Sequence, residues 1–325
     1  MLPLVSVVVP AYNEEEVIPE CHRRIADVLC AEKCRYEILF VNDGSSDGTL
    51  EVLRRIKRAD PHVGIVNLSR NFGKEIALTA GIDRARGDAV ITIDADLQDP
   101  PEYIAQMIKM WREDGYDVVS GQYASRPNET LLKRLTSKGF YRLLNFLAGH
   151  KFPLDAGDFR LLSRKAVDGL KQVQERHRFM KGLFTWIGYK QTTMPYRRNA
   201  RFAGVTKYNY WKLWNFSIEG ITSFSTTPLK TATYFGLVIA FLAAVYAIVM
   251  ITKTMIYGND VPGYPSLIVV VLFIGGVQLI FLGIIGEYLA RIFDEVKQRP
   301  LYLLQDYEPS SAEASVAGQE KIVIV

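Results

Sequence analysis

The sequence predicts an α/β protein: a mostly parallel sheet flanked by helices, followed by amphipathic interface helices and two transmembrane helices. Three observations predict it. Apolar runs of strand length alternate with helix-length stretches through the N-terminal half, the pattern of a parallel sheet covered on both faces. Clusters of Asp, Asn, Gly and Ser follow the first, second and fourth runs, at the strand ends where such sheets bind ligands. Two long uncharged stretches lie late in the chain, each sufficient for a helix to cross a bilayer.

Taken in order, the strand-length runs are Val5–Val9, Tyr36–Val41, Gly64–Leu68, Ala89–Ile93 and Asp117–Ser120. Between them, helices are expected at Glu14–Glu32, Asp47–Arg58, Lys74–Arg86 and Pro101–Glu113. Ser46-Asp47 and Asp99-Pro100-Pro101-Glu102 read as helix starts, because proline and acidic residues suit the first turn. Farther on, Asn128–Leu147 has helical apolar spacing with interleaved Lys and Arg, which fits a membrane-surface helix or an ordinary amphipathic one. Tyr208, Tyr210, Trp211, Trp214 and Phe216 lie just before the first uncharged stretch and suggest helices in the headgroup layer.

Composition sets limits on the function. The 325 residues are 49% hydrophobic and 23% charged, which excludes disordered and collagen-like classes. A net charge of +4 is too small to argue for nucleic acid. Cys21, Cys30 and Cys34 are odd in number and crowded together, so neither a disulfide framework nor a zinc site follows, and a reduced, cytosol-facing domain is expected. No signal peptide is read at the N-terminus, since Leu4–Val9 is strand-length and cut by Pro10. Thr231–Thr252 and Val261–Gly286 carry no charge. Arg197, Arg198, Arg201, Lys207, Lys212 and Lys230 precede them and Arg291, Lys297 and Arg299 follow, while the link between holds only Lys253. The positive-inside rule therefore puts both termini in the cytoplasm. The expected organisation is an α/β unit at 1–200, a loop and interface helices at 201–229, a transmembrane hairpin at 230–288 and a partly disordered cytoplasmic segment at 289–325, disordered from Tyr307. Gly236 and Ala240 on one span and Gly275, Gly276, Gly283 and Gly286 on the other permit close packing, within the hairpin or between subunits.

The strand-end clusters carry the chemistry. Neither G-x-G-x-x-G after the first strand nor a P-loop occurs, so dinucleotide binding and P-loop hydrolysis lose their fingerprints. Asp94, Asp96 and Gln98 present hard oxygens at one strand end, a set suited to Mg²⁺ or Mn²⁺ shared with substrate phosphates. Asp99 is expected to cap the next helix. Asp43, followed by Gly44-Ser45-Ser46, fits either a turn and cap or a binding role.

Pro10–Glu14, Asn42–Gly48, Asp94–Gln98, Asp155–Arg160 and Arg201–Tyr208 together resemble the family 2 glycosyltransferases of GT-A, Rossmann-like fold. With two C-terminal spans, the chain resembles the polyisoprenyl-phosphate glycosyltransferases, close to bactoprenol glucosyltransferases and dolichol-phosphate mannose synthase. The resemblance implies that Pro10, Tyr12, Glu14 and Asp43 line a nucleoside pocket with Lys74 at its edge. It implies that Asp96 and Gln98 bind the metal, with Ala95 beside them and Asp94 contacting ribose or supporting the metal. Asp158 and Asp155 are the implied catalytic or acceptor-anchoring residues, and Arg126, Arg201 and Lys207 the implied phosphate ligands. Where many relatives carry arginine after the fifth strand, this chain has Gln122-Tyr123.

The implied reaction is inverting transfer of a sugar, best glucose from UDP-glucose, to polyprenyl phosphate at the cytoplasmic face of the cell membrane. Donors such as GDP-mannose, UDP-N-acetylglucosamine or UDP-aminoarabinose fit closely similar motifs. A polysaccharide synthase would want more spans, and a non-catalytic scaffold would not need this set of carboxylates. Expected partners are the donor, the lipid acceptor, membrane lipids and further copies of the chain through its spans.

Overall fold

The computed structural model describes residues 2–32, 34–123, 156–173, 175–176, 178–199, 226–257 and 263–311. Strands β1 (Leu4–Ala11), β2 (Arg35–Asn42), β3 (Val63–Leu68) and β4 (Ala89–Thr92) alternate with helices α1 (Ile18–Ala31), α2 (Thr49–Ala59) and α3 (Lys74–Arg84). After α4 (Ile104–Arg112) come β5 (Val118–Tyr123), β6 (Ala156–Ser163), α5 (Arg164–Lys171), α6 (Met180–Trp186) and β7 (Gln191–Tyr196). Two long helices, α7 (Thr227–Tyr257) and α8 (Tyr264–Lys297), precede a last strand, β8 (Leu304–Glu308).

The eight strands form one sheet in the order β7-β5-β6-β4-β1-β2-β3-β8. Its centre is parallel, β1 pairing with β2 and β4, and β2 with β3. The sheet is mostly parallel, as expected, but mixed: β5 and β7 also pair parallel, whereas β6 runs antiparallel to β4 and β5, and β8 antiparallel to β3. Neither β6, β7 nor β8 stood out by alternation.

Both faces of β1 are covered, which is why its run is almost wholly apolar. Val5, Val7 and Val9 pack with Ile18, Cys21, Ile25 and Leu29 of α1 on one face. Val8, Leu39, Val41 and Val90 pack with Ala77, Leu78 and Ala80 of α3 on the other. Gly81 lets α3 lie directly on the sheet, since a Cβ there would come within 2.3 Å of Val8 Cγ1. These parallel strands share one carboxyl end, with Ala11 beside Asn42 and Asn42 beside Asn67. Because β6 is antiparallel to β4, with Thr92 opposite Arg160, the start of β6 reaches the same end.

Helices α7 and α8 are long and apolar enough to cross a membrane. They leave large side chains such as Leu237, Phe241, Leu272 and Leu279 exposed, which in water would be an aggregation surface and in lipid is ordinary. Phe235 meets Phe281 edge to face at 6.2 Å. A Cβ at Gly236, Gly275, Gly276, Gly283 or Gly286 would touch nothing within 4 Å, so these glycines do not make the contact between the two helices. Over Tyr307–Ser311 the structure corrects the expectation of disorder, while 312–325 lie outside the described residues. Tyr307 lies within β8, opposite Val66. Arg54 binds Asp306 at 2.8 Å and Glu308 at 3.1 Å. Ser310 is buried, donating to Glu37 at 3.0 Å and accepting from Arg86 at 2.8 Å. The otherwise open edge of β3 explains this, because its unpaired N–H and C=O groups are satisfied by a returning strand.

Candidate active site

At the shared carboxyl end, three loops are tied to one another by side chains. After β1, Asn13 takes a left-handed φ of 54°; its N–H donates to Ser45 Oγ at 3.0 Å and its side-chain oxygen accepts from Ser46 N at 2.9 Å. Glu15 accepts from Gly48 N at 2.7 Å. Asp43, at the end of β2, accepts from Phe72 N at 2.7 Å and Gly73 N at 2.9 Å, so it fastens the loop that opens α3. Burial raises its carboxyl above the usual range despite these bonds. Gly44 is required where these loops cross: its φ is +62°, and a Cβ would come within 2.3 Å of the Arg70 backbone. Pro10 and Glu14 are half-buried around this junction and Tyr12 is exposed, leaving its ring accessible beside the loops.

Lys74 begins α3 and bridges two carboxylates. Its Nζ lies 2.7 Å from Asp94 and 2.5 Å from Asp158. Asp94 follows β4 and Asp158 lies in β6, whose backbone oxygen accepts from Thr92 Oγ1 at 2.5 Å. Lys181, in the first turn of α6, approaches the other Asp158 oxygen at 3.8 Å. Burial alone would raise Asp158, yet the charges of Lys181 and Lys74 outweigh it and hold this carboxyl well below the usual range. Desolvation opposes the charge of Lys74, but Asp158 and Asp94 more than compensate and raise its pKa. Asp94 is instead raised by burial, against the pull of Lys74, with Asp158 and Asp96 adding repulsion. Glu75, next to Lys74, accepts from Met180 N at 3.1 Å, and burial with the nearby Asp158 charge pushes it up to about 7.

Beyond Asp94 the chain turns through Ala95, which is buried, Asp96 and Leu97, whose φ is 57°. Asp96 accepts from Gln98 N at 3.1 Å. A left-handed non-glycine residue at such a place is the kind of strain that functional turns carry. Asp99 is not the expected helix cap: it is 1% exposed and accepts from Tyr196 OH at 2.5 Å, with Arg198 at 3.7 Å. Burial and the Asp94 charge push it up to about 6. Among the described residues no group of three His, Cys, Asp or Glu forms a metal cluster. Asp94 and Asp96 are nevertheless close enough to repel each other, both are half-buried, and Gln98 stands beside them. That excess of hard, negative oxygen fits a divalent cation completed by substrate oxygens.

The structure therefore brings Lys74, Asp94 and Asp158 into direct contact and ties Asp43 and Asp96 into the adjoining loops. Asp155, Arg126, Arg201 and Lys207 lie outside the described residues. Nothing in the spacing of Lys181, Glu75 and Tyr196 links them to Asp158 or Asp99, and Arg198 reads in the sequence only as one of the basic residues before the first span.

The chain is similar to known proteins over most of its length. Residues 6–170 match glycosyl transferase family 2, and residues 227–292 match the GtrB C-terminal hairpin. An uncharacterized glycosyltransferase of Synechocystis is 55% identical over 93% of this chain and 94% of its own. A prophage-derived bactoprenol glucosyl transferase of Shigella flexneri is 46% identical over 93% of this chain and 97% of its own. A prophage bactoprenol glucosyl transferase homolog of Escherichia coli K12 is also 46% identical, over 93% and 98%. In fold, the chain is similar to glucosyl-3-phosphoglycerate synthase from Mycobacterium tuberculosis, solved with Mn²⁺, UDP and phosphoglyceric acid. The TM-score is 0.51 at 20% identity, over 68% of this chain and 76% of that one.

Proposed function

The chain belongs to glycosyl transferase family 2, and from that premise we propose that it transfers glucose from UDP-glucose to polyprenyl phosphate at the cytoplasmic membrane face. The observation that carries this reading is the Lys74-bridged pair Asp94 and Asp158 at the carboxyl end of a sheet whose chain continues into two long apolar helices. The bactoprenol relatives support the lipid acceptor and the glucosyl donor. In this reading residues 1–200 form the catalytic unit, 201–229 the acceptor side, 230–288 the membrane hairpin and 289–325 a cytoplasmic return. Lys and Arg flank the hairpin on both sides, which favours cytoplasmic termini.

Tyr12 and the loop fastened by Asp43 receive the nucleoside. Asp94, Asp96 and Gln98 would hold Mg²⁺ or Mn²⁺, which supplies charge neutralisation to the departing diphosphate. Arg126, Arg201 and Lys207 are assigned to phosphate groups, and Asp155 to the acceptor side. An oxygen of the acceptor phosphate attacks the anomeric carbon, the bond from that carbon to the nucleotide diphosphate breaks, and UDP leaves. Inversion follows from this single displacement.

Asp158 is poorly suited to take a proton, because Lys181 and Lys74 hold it ionised with little basicity. It does not need to. A phosphomonoester has a second pKa of about 6 and is largely a dianion at neutral pH. Asp158 instead holds its two lysines in register with the acceptor. Purified enzyme given polyprenyl phosphate and separate nucleotide sugars tests the reading by the mass of the lipid product. A hexosyl product from UDP-glucose is expected; a product formed only from GDP-mannose or UDP-N-acetylglucosamine would replace the donor assignment.

A further inference from the structure

We propose that Lys181 is the cation that receives the phosphate of the lipid acceptor, an assignment resting on the lipid-phosphate reading above. The residue is placed by its short helix. Met180, Gly182, Leu183 and Phe184 are buried in α6, whereas Lys181 keeps 27% of its side chain exposed. The entry to this helix is held on both sides. Arg178, buried, donates to Val173 O and to Glu175 O, and Glu75 accepts from Met180 N. Glu75 adjoins Lys74, so one end of α3 positions both cations that face Asp158.

The two cations differ in what they hold. Lys74 bridges Asp158 to Asp94, on the side of the metal-ligand set, through contacts of 2.5 and 2.7 Å. Lys181 stands 3.8 Å from the opposite oxygen, and among the described residues that buried oxygen makes no hydrogen bond. At that distance the contact with Asp158 is an ion pair rather than a hydrogen bond, and a flexible four-carbon stem lets the ammonium turn toward a second anion. A phosphate monoester brings roughly 1.5 to 2 negative charges at neutral pH, enough to draw Lys181 from the carboxylate without leaving it uncompensated.

The location points to the acceptor rather than the donor. The loop that leads into α6 touches the end of the second apolar helix, Arg176 N donating to Glu295 Oε1 at 2.7 Å. The helix that carries Lys181 thus follows a loop in contact with a membrane helix, the direction from which a lipid phosphate would arrive.

The test uses full-length enzyme with polyprenyl phosphate and UDP-glucose varied separately. Lys181→Met should raise the acceptor KM by about ten- to a hundredfold, the scale of one lost charged hydrogen bond, with the donor KM within about twofold of wild type. Lys181→Arg should restore most of the loss, which a purely packing role would not require. A thermal melt of each variant separates lost folding from lost binding. A raised donor KM with an unchanged acceptor KM would overturn the assignment, as would a Lys181→Met enzyme of wild-type kinetics. A wild-type enzyme that fails to glycosylate polyprenyl phosphate would instead overturn the underlying acceptor reading.

Discussion

Replacing Asp158 by asparagine separates positioning from proton transfer. The substitution keeps the side-chain volume in β6 but removes the charge that faces Lys74 at 2.5 Å and Lys181 at 3.8 Å. Breaking a buried ion pair costs about 3–5 kcal/mol. Lys74 and Lys181 retain 35% and 27% exposure, so solvent screening brings the expected loss to about 2 kcal/mol. For a folding unit of about 200 residues that lowers Tm by roughly 4–8 °C. The linkage sign is that of a depressed carboxylate: its contribution is present above the unfolded pKa and is lost only as pH falls through the still lower folded value. Hence the stability difference between wild type and variant stays constant above about pH 5. Activity should fall about a hundredfold, the cost of misplacing reacting groups by roughly 1 Å. The assay is the transfer rate against pH at saturating donor and acceptor. The wild-type rate should rise near the acceptor pKa of about 6, and the variant should follow the same curve at its lower level. Recovery of the variant toward wild type by about pH 8, where the acceptor is fully ionised, would refute the positioning role and make Asp158 the base.

Other outcomes follow from the same geometry. Chelation should abolish transfer and added Mg²⁺ or Mn²⁺ restore it, and Asp96→Ala should stay inactive at saturating donor; full activity in excess chelator would remove the metal. Glu75, raised to about 7, binds a proton in the folded state that the unfolded chain has released, so stability falls as pH rises from about 4.5 to 7. Glu75→Gln keeps an acceptor for Met180 N and should flatten that fall, by up to roughly 3 kcal/mol; identical pH profiles in denaturant melts would contradict it. With native cysteines removed, Tyr257→Cys should react with an impermeant thiol reagent on intact cells, and Gln305→Cys, exposed in β8, only after permeabilisation. The reverse labelling would invert the topology.

Much of the fold was legible because β1 to β4 and α1 to α4 are set by local signals. Buried parallel strands read as apolar runs, and the acidic clusters after β1, β2 and β4 fall at one sheet end for topological reasons alone. What escaped was long-range. Asp158 was suspected from its motif, but its contact with Lys74 depends on β6 pairing antiparallel to β4. Asp99 looked like a helix cap because proline follows it, whereas Tyr196 and Arg198, nearly a hundred residues later, bury it. Lys181 sits in a helix too short to show a period. β8 alternates weakly, and only the open edge of β3 makes it a strand.

The anomeric configuration of the lipid product tests the central claim most directly, namely that the acceptor phosphate itself displaces UDP in a single step, with no residue of the protein as nucleophile. UDP-glucose carries its leaving group on the α face, so one displacement yields a β-linked polyprenyl-phosphate glucose, readable from the anomeric proton coupling by NMR. The account predicts the β product alone. An α-linked product would mean retention, whether by two displacements through a glucose held on a carboxylate such as Asp158 or by attack from the face that UDP leaves, and would contradict it.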